Sequence, residues 1–155
     1  MDNLSKLGWL ASEILLKNSF HAEKYRPEET GILLANSNSS LDTDLKYVQT
    51  IIDMPSPSVF VYTLPNIMIG EICIRNHFKG ETALFVFERF DAVFMEQYVN
   101  NLMNNGILQV CICGWVELLE TEYKAVLFLV EKKANEQTNI FTAQNMITLF
   151  QIENV

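Results

Sequence analysis

GETALFVFERFDAVFMEQYVNNLMNNGILQVCICGWVE, residues 80–117, reads as a strand, a sharp corner, an amphipathic helix, a tight turn and a second strand. Thr82 to Phe87 is a branched, apolar and aromatic run of buried-strand length. Glu88-Arg89-Phe90-Asp91 breaks it. From Asp91, which stands at an N-cap position, Val93, Phe94, Tyr98, Leu102 and Met103 recur at helical spacing. Asn104-Asn105-Gly106 has the composition of a left-handed cap, and Ile107 to Val116 returns as a strand. Such a strand–helix–strand unit aims a helix N-terminus past the strand ends, where enzymes of this architecture place a nucleophile. Here the corner holds Glu88, Arg89 and Asp91, and neither cysteine nor serine.

The bounds set by length and composition agree with one globular domain over residues 1–155. Eleven basic against nineteen acidic residues give a net charge of −8. A field of that sign repels phosphate backbones, so nucleic acid is not expected as a partner, and cationic or neutral partners are easier to accommodate. No apolar run approaches the roughly 20 residues of a membrane span. The first residues lack the layout of a signal peptide, because Ser5, Lys6, Ser12, Glu13 and Lys17 interrupt the apolar pattern. Three cysteines, an odd number in apolar surroundings, suit a reducing cytoplasm.

Outward from the central unit, Asp2 or Asn3 can cap a first helix with Leu4, Leu7, Leu10, Ala11, Ile14 and Leu15 on one face. Residues 18–29 are a polar connection. Gly31 to Ala35 predicts a central strand that empties into Asn36-Ser37-Asn38-Ser39-Ser40. A helix follows to about Ile52, with Asp42 and Asp44 in its first turn, where carboxylates favour the dipole. Met54 to Ser58 is a break, and Val59 to Thr63 is expected to be short and extended. Pro65 opens a helix from Asn66 to about Asn76, in which Gly70 would permit close packing. Tyr123 to Val130 predicts a strand antiparallel to its predecessor. Residues 132–138 form a polar loop, and Phe141, Met146, Leu149 and Phe150 belong to a closing helix or strand. The fold class is α/β: a mixed sheet of four to five strands with helices on both faces.

Four segments, in order, resemble the N-terminal half of a β-ketoacyl (3-oxoacyl-acyl-carrier-protein) synthase of the thiolase-like superfamily. They are Asp2 to Leu16; Gly31 to Ser37 with Ser40 to Thr43; Pro57 to Asn66 with Gly70-Glu71-Ile72 and Lys79-Gly80-Glu81; and Gly106 to Glu117, ending in Gly114-Trp115-Val116-Glu117 where the family has Gly-Gly-x-Glu. The resemblance covers about residues 2 to 130. It implies a single thiolase-like half-fold, with a reactive cysteine at the position that Arg89 occupies. The small residues expected around that cysteine are replaced by Glu88, Phe90 and Asp91. The family's two site histidines, in its C-terminal half, and its first strand, ahead of Asp2, have no counterpart in these residues. No condensation can run on a guanidinium, which offers no nucleophilic lone pair near neutral pH.

Each candidate residue admits a structural and a functional reading. Arg89 either pairs with Glu88 or Asp91, or holds a carboxylate in a remnant acyl pocket closed by Phe90 and Phe94. Cys111 and Cys113 share one strand face as core thiols; two thiolates without further ligands do not hold zinc, and no metal or cofactor is expected. Ser37, Ser39 and Ser40 serve loop hydrogen bonding. Arg75, His77 and Lys79 form a basic cluster at a helix end, either merely solvated or a dock for the acidic acyl carrier proteins that ketosynthases use. Thr82, Leu84, Phe85, Val86 and Phe87 form either a central strand or, as the resemblance implies, the strand at a dimer interface. The function expected is that of a non-catalytic ketosynthase-like protein associating with itself or with a ketosynthase, as chain-length-factor subunits do in lacking the nucleophile. A small-molecule binder with a remnant acyl pocket is the alternative, and an unrelated enzyme using Glu88, Asp91 or Glu117 as base is a third.

Overall fold

Thr30–Asn36 (β1) is buried along its whole length, because it lies inside a sheet covered on both faces. The computed structural model describes residues 1–133 and 138–152, so the loop expected over 132–138 falls largely outside it. Four strands form the sheet: β1, Thr82–Val86 (β2), Val110–Leu119 (β3) and Glu122–Glu131 (β4), in the order β2-β1-β3-β4. β1 runs parallel to both neighbours, with Leu34 opposite Leu84 and Leu33 opposite Cys113. β4 returns antiparallel to β3, as so short a connection requires.

Period-two alternation sorts the strands into two cores. Leu33, Ala35, Cys111, Cys113 and Trp115 face Ala92–Asn104 (α5) and Ala143–Phe150 (α6). Ile32, Leu34, Ile112 and Val116 face Asn3–Leu16 (α1) and Ile67–Asn76 (α4). The fold is therefore α/β, three-layered, with a mixed four-stranded sheet. Each fully buried Leu or Ile in these cores is worth about 1.5–3 kcal/mol. The two strand cysteines share the α5 side and are wholly buried, while Cys73 packs on the opposite side.

The helix ends follow local chemistry. Asp2 caps α1, accepting from the Ser5 amide at 2.9 Å. Thr142 caps α6, so the closing element is a helix. Gly106 turns the chain at φ 71° after α5, and β3 begins at Val110 rather than at Ile107. Leu41–Ile51 (α2) starts after Ser40, with Asp42 and Asp44 in its first turn.

Three expectations need correction. Residues 59–63 are not extended: Pro57–Phe60 (α3) and a 3-10 turn over Val61–Thr63 are helical. Ser56 caps α3 and Pro57 presets its first turn, which outweighs the strand preference of Val59 and Val61. Gly70 is not a close-packing position, since a Cβ there would meet nothing within 4 Å. Thr82 to Phe87 is not a buried central strand: β2 is a sheet edge, Val86 is 54% exposed, and Phe87 lies just past its end. No single helix among the described residues is long and apolar enough to cross a membrane.

Candidate functional site

The corner between β2 and α5 is built as the sequence suggests, but its groups are spent on structure. The Phe87 amide donates to the Asn36 carbonyl (2.9 Å), ending the strand beside β1. Asp91 Oδ1 accepts from the Phe94 amide at 2.9 Å, so this carboxylate is the N-cap of α5. Glu88 and Arg89 are exposed. Arg89 pairs with neither Glu88 nor Asp91, which corrects the ion-pair reading; the described ion pairs lie at His21–Glu23, Arg26–Glu29, Lys46–Asp42 and Arg75–Glu13.

Phe90 turns inward and anchors the corner. Its ring stacks on Phe150 (4.7 Å between centroids) and lies against Phe128 (6.3 Å) and Trp115 (6.2 Å). The expected pocket beside residues 88–91 is thus occupied by aromatic side chains. A cleft of about 970 Å³ opens elsewhere, between the outer edge of β4 and residues 138–149. A smaller one lies beside the start of β2. Glu88, Arg89, Phe90 and Asp91 line neither.

Phe94 does not close an acyl pocket with Phe90. It joins Phe85, Phe87 and Tyr98 in a half-buried aromatic cluster with ring centroids 4.9–5.7 Å apart. This cluster lies along β2, whose outer edge no described strand pairs. Within the sequence-derived set the structure therefore joins Phe85 and Phe87 to α5, and keeps Arg75, His77 and Lys79 at the opposite end of the strand.

Those three basic side chains are exposed. His77 ends α4 at a positive φ of 58°, and the Lys79 amide donates to the Pro27 carbonyl (2.8 Å). Arg75 is already engaged: its guanidinium donates to Glu13 at 3.4 Å and lies 5.7 Å over the Trp9 ring.

No thiol stands in for the corner nucleophile. Burial pushes Cys111 up to about 12 and Cys73 to about 11, and lifts Cys113 well above the ordinary thiol value. All three are neutral near pH 7. Among the described residues no group of three or more His, Cys, Asp or Glu side chains is placed to hold a metal ion.

From the sequence, Glu117 is expected only as part of a motif or as a possible base. In the structure its Oε2 accepts from the Ser37 amide (2.6 Å), the Ser37 hydroxyl (2.5 Å) and the Asn38 amide (3.2 Å). It fastens the loop after β1 to β3. A lone carboxylate on an otherwise apolar strand, facing a Ser/Asn loop, was the signal available for it.

No family model matches the sequence, and no curated protein matches it significantly. Solved structures do. The ishigamide ketosynthase/chain length factor superposes with a TM-score of 0.61 at 24% identity, covering 76% of this chain and 34% of that one. A type II polyketide synthase acyl-carrier protein in complex with its ketosynthase bound to the hexaketide gives a TM-score of 0.64 at 24% identity, over 78% and 36%. A ketosynthase in complex with its chain length factor from Xenorhabdus doucetiae gives 0.63 at 13% identity, over 97% and 69%.

The fold is that of a ketosynthase half.

At these identities the likeness is one of fold, and the chain spans about a third of the first two solved chains. In this ketosynthase-like half-fold the β2–α5 corner carries an exposed Arg89 and a capping Asp91, with Phe90 filling the space behind them.

Proposed function

We propose that this chain is a non-catalytic ketosynthase-like subunit that acts by association, with a second copy of itself or with a ketosynthase of a fatty-acid or polyketide-type pathway. The observation that carries this reading is the β2–α5 corner: a helix N-terminus is presented past a strand end, yet the residues there are Glu88, Arg89, Phe90 and Asp91. None of these, placed as they are, can carry an acyl thioester.

The free edge of β2 supplies the means of association. An unpaired edge strand flanked by half-buried aromatics invites a partner strand. The solved neighbours support the reading, since they include ketosynthases joined to chain length factors and a ketosynthase joined to an acyl-carrier protein. In this account β2 pairs with the partner's strand, and the exposed Arg75, His77 and Lys79 are where an acidic acyl carrier protein would rest. The subunit works as one domain in the cytoplasm.

The test is acyl loading. The chain is incubated with a radiolabelled acyl-carrier thioester and examined for covalent label. No label is expected; stable stoichiometric labelling of any cysteine would contradict the non-catalytic reading.

A further inference from the structure

Helix α2 is mounted with its polar side inward. Thr43 and Asp42 are buried, while Tyr47 and Thr50 are half-buried. Hydrogen bonds, more than apolar burial, hold this side. Thr43 Oγ1 donates to Asp2, Asp42 Oδ1 accepts from the Glu120 amide (2.9 Å), and Thr50 Oγ1 accepts from the Ser56 amide (3.2 Å).

The opposite side is apolar and wet. Leu41, Leu45, Val48 and Ile52 are 38%, 46%, 60% and 85% exposed. At about 100° per residue these four fall within about 60° of one another, directly opposite Thr43, Tyr47 and Thr50. Their spacings of four, three and four residues are those of a two-stranded coiled-coil seam. Ile51 on α2 and Met54 just beyond it are also exposed, as are Phe60, Val61 and Leu64 of the segment that packs beside α2 through the Tyr47–Phe60 ring contact (5.4 Å).

Among the described residues, nine of the twenty exposed large apolar side chains lie within residues 41–64. The four seam side chains together expose on the order of 400 Å², an area within the roughly 300–600 Å² of the largest patch on an ordinary monomer, which is often functional.

We propose that this face binds a second copy of the chain, α2 against α2 in antiparallel. The seam is self-complementary in that arrangement. Leu41 meets the second copy's Ile52, and Leu45 meets its Val48, on both sides of a two-fold axis. The flanks are compatible too: Asp44 faces Ile51 and Asp42 faces Gln49, so no like charges oppose each other. Asp42 is in any case paired with Lys46 at 2.6 Å. Antiparallel helix dipoles add to the preference. A seam so nearly neutral gives a strongly charged partner nothing to recognise. The proposal is independent of the β2 edge, which remains free for a ketosynthase.

The experiment isolates the two surfaces. Phe85→Lys blocks β2, and sedimentation of this variant at tens of micromolar should still report a dimer. Adding Leu45→Asp and Val48→Asp should give a monomer with an unchanged far-ultraviolet spectrum. Independently of these charges, a mixture of Leu45→Cys and Val48→Cys chains should form disulfide-linked heterodimers on oxidation. A monomeric Phe85→Lys protein, or a dimer that gives no such cross-link, would overturn the proposal. So would a monomer that floats with phosphatidylcholine vesicles through Leu45 and Val48, which would assign the stripe to a membrane surface.

Discussion

Glu117 grips Ser37 twice, its Oε2 accepting from the amide at 2.6 Å and from the hydroxyl at 2.5 Å. Eighty residues separate the two in the chain, yet the contact fixes where the loop after β1 begins and hence where α2 is mounted. The Asn38 amide adds a third donor at 3.2 Å. Glu117 Oε1 is buried without a hydrogen-bond partner among the described residues, so the carboxylate serves the loop through one oxygen alone.

Removing that acceptor leaves three donors unmet. Glu117→Ala is expected to cost about 2–4 kcal/mol, and Ser37→Ala about 1 kcal/mol, because charged acceptors and buried orphans dominate such losses. Urea denaturation of the two variants checks the ranking. Equal, negligible losses would mean that the loop is held by other means.

Gly114 is a sharper test of the sheet. Its φ is 146°, and a Cβ there would run into the Val126 carbonyl oxygen, a backbone atom on the paired strand. Gly114→Ala is therefore expected to destabilise by about 3 kcal/mol or more, or to block folding. Gly70→Ala, where a Cβ meets nothing, should instead be neutral or slightly stabilising as a helix substitution.

The buried thiols make stability fall in alkali. Below about pH 9 they are protonated both folded and unfolded, and contribute no pH dependence. Above it the unfolded thiols ionise, whereas Cys73 and Cys111 in the native protein resist until about 11 and about 12, and Cys113 resists further. Tyr25, raised to about 12 by burial and by its bond to Glu131, acts in the same sense. The unfolded state thus binds fewer protons, and stability declines from pH 9 towards 12. The melting temperature should fall over that window, and Cys111→Ala with Cys113→Ala should flatten the slope. A slope unaltered by removing both thiols would contradict the assignment.

Much of this architecture was legible because strands and caps leave local marks. The Asp91 cap, the Gly106 turn and the shared face of Cys111 and Cys113 follow from residue type and period alone. The packing side of α2 did not. Periodicity marks two faces of a helix but not which one turns inward, and here hydrogen bonds to Asp2 and Glu120 chose the polar one. The helical turn at Pro57 was hidden by the branched residues after it, where Ser56 and Pro57 outweighed propensity. At the corner, the absent nucleophile was plain in the sequence. That Phe90 fills the space behind it was not, because Phe150 arrives from the far end of the chain.

Restoring a thiol should not restore chemistry. Arg89→Cys places a nucleophile at the exposed corner, but His21 and His77 belong to the opposite, N-terminal ends of β1 and β2. No histidine stands by to activate the thiol or polarise a thioester. Thiol reagents should alkylate the variant, yet condensation of acyl-carrier thioesters should remain at background. Product formation by the variant would mean that the corner retains catalytic surroundings.

The central claim is association through β2, and cross-linking in the native cell tests it most directly. The chain is captured after cross-linking, and the linked peptides are mapped by mass spectrometry alongside a Phe85→Lys control. The expected result is a ketosynthase or a second copy linked beside residues 82–87, lost in the control. A chain that yields no links at β2, and the same links elsewhere with or without Phe85→Lys, would contradict the account.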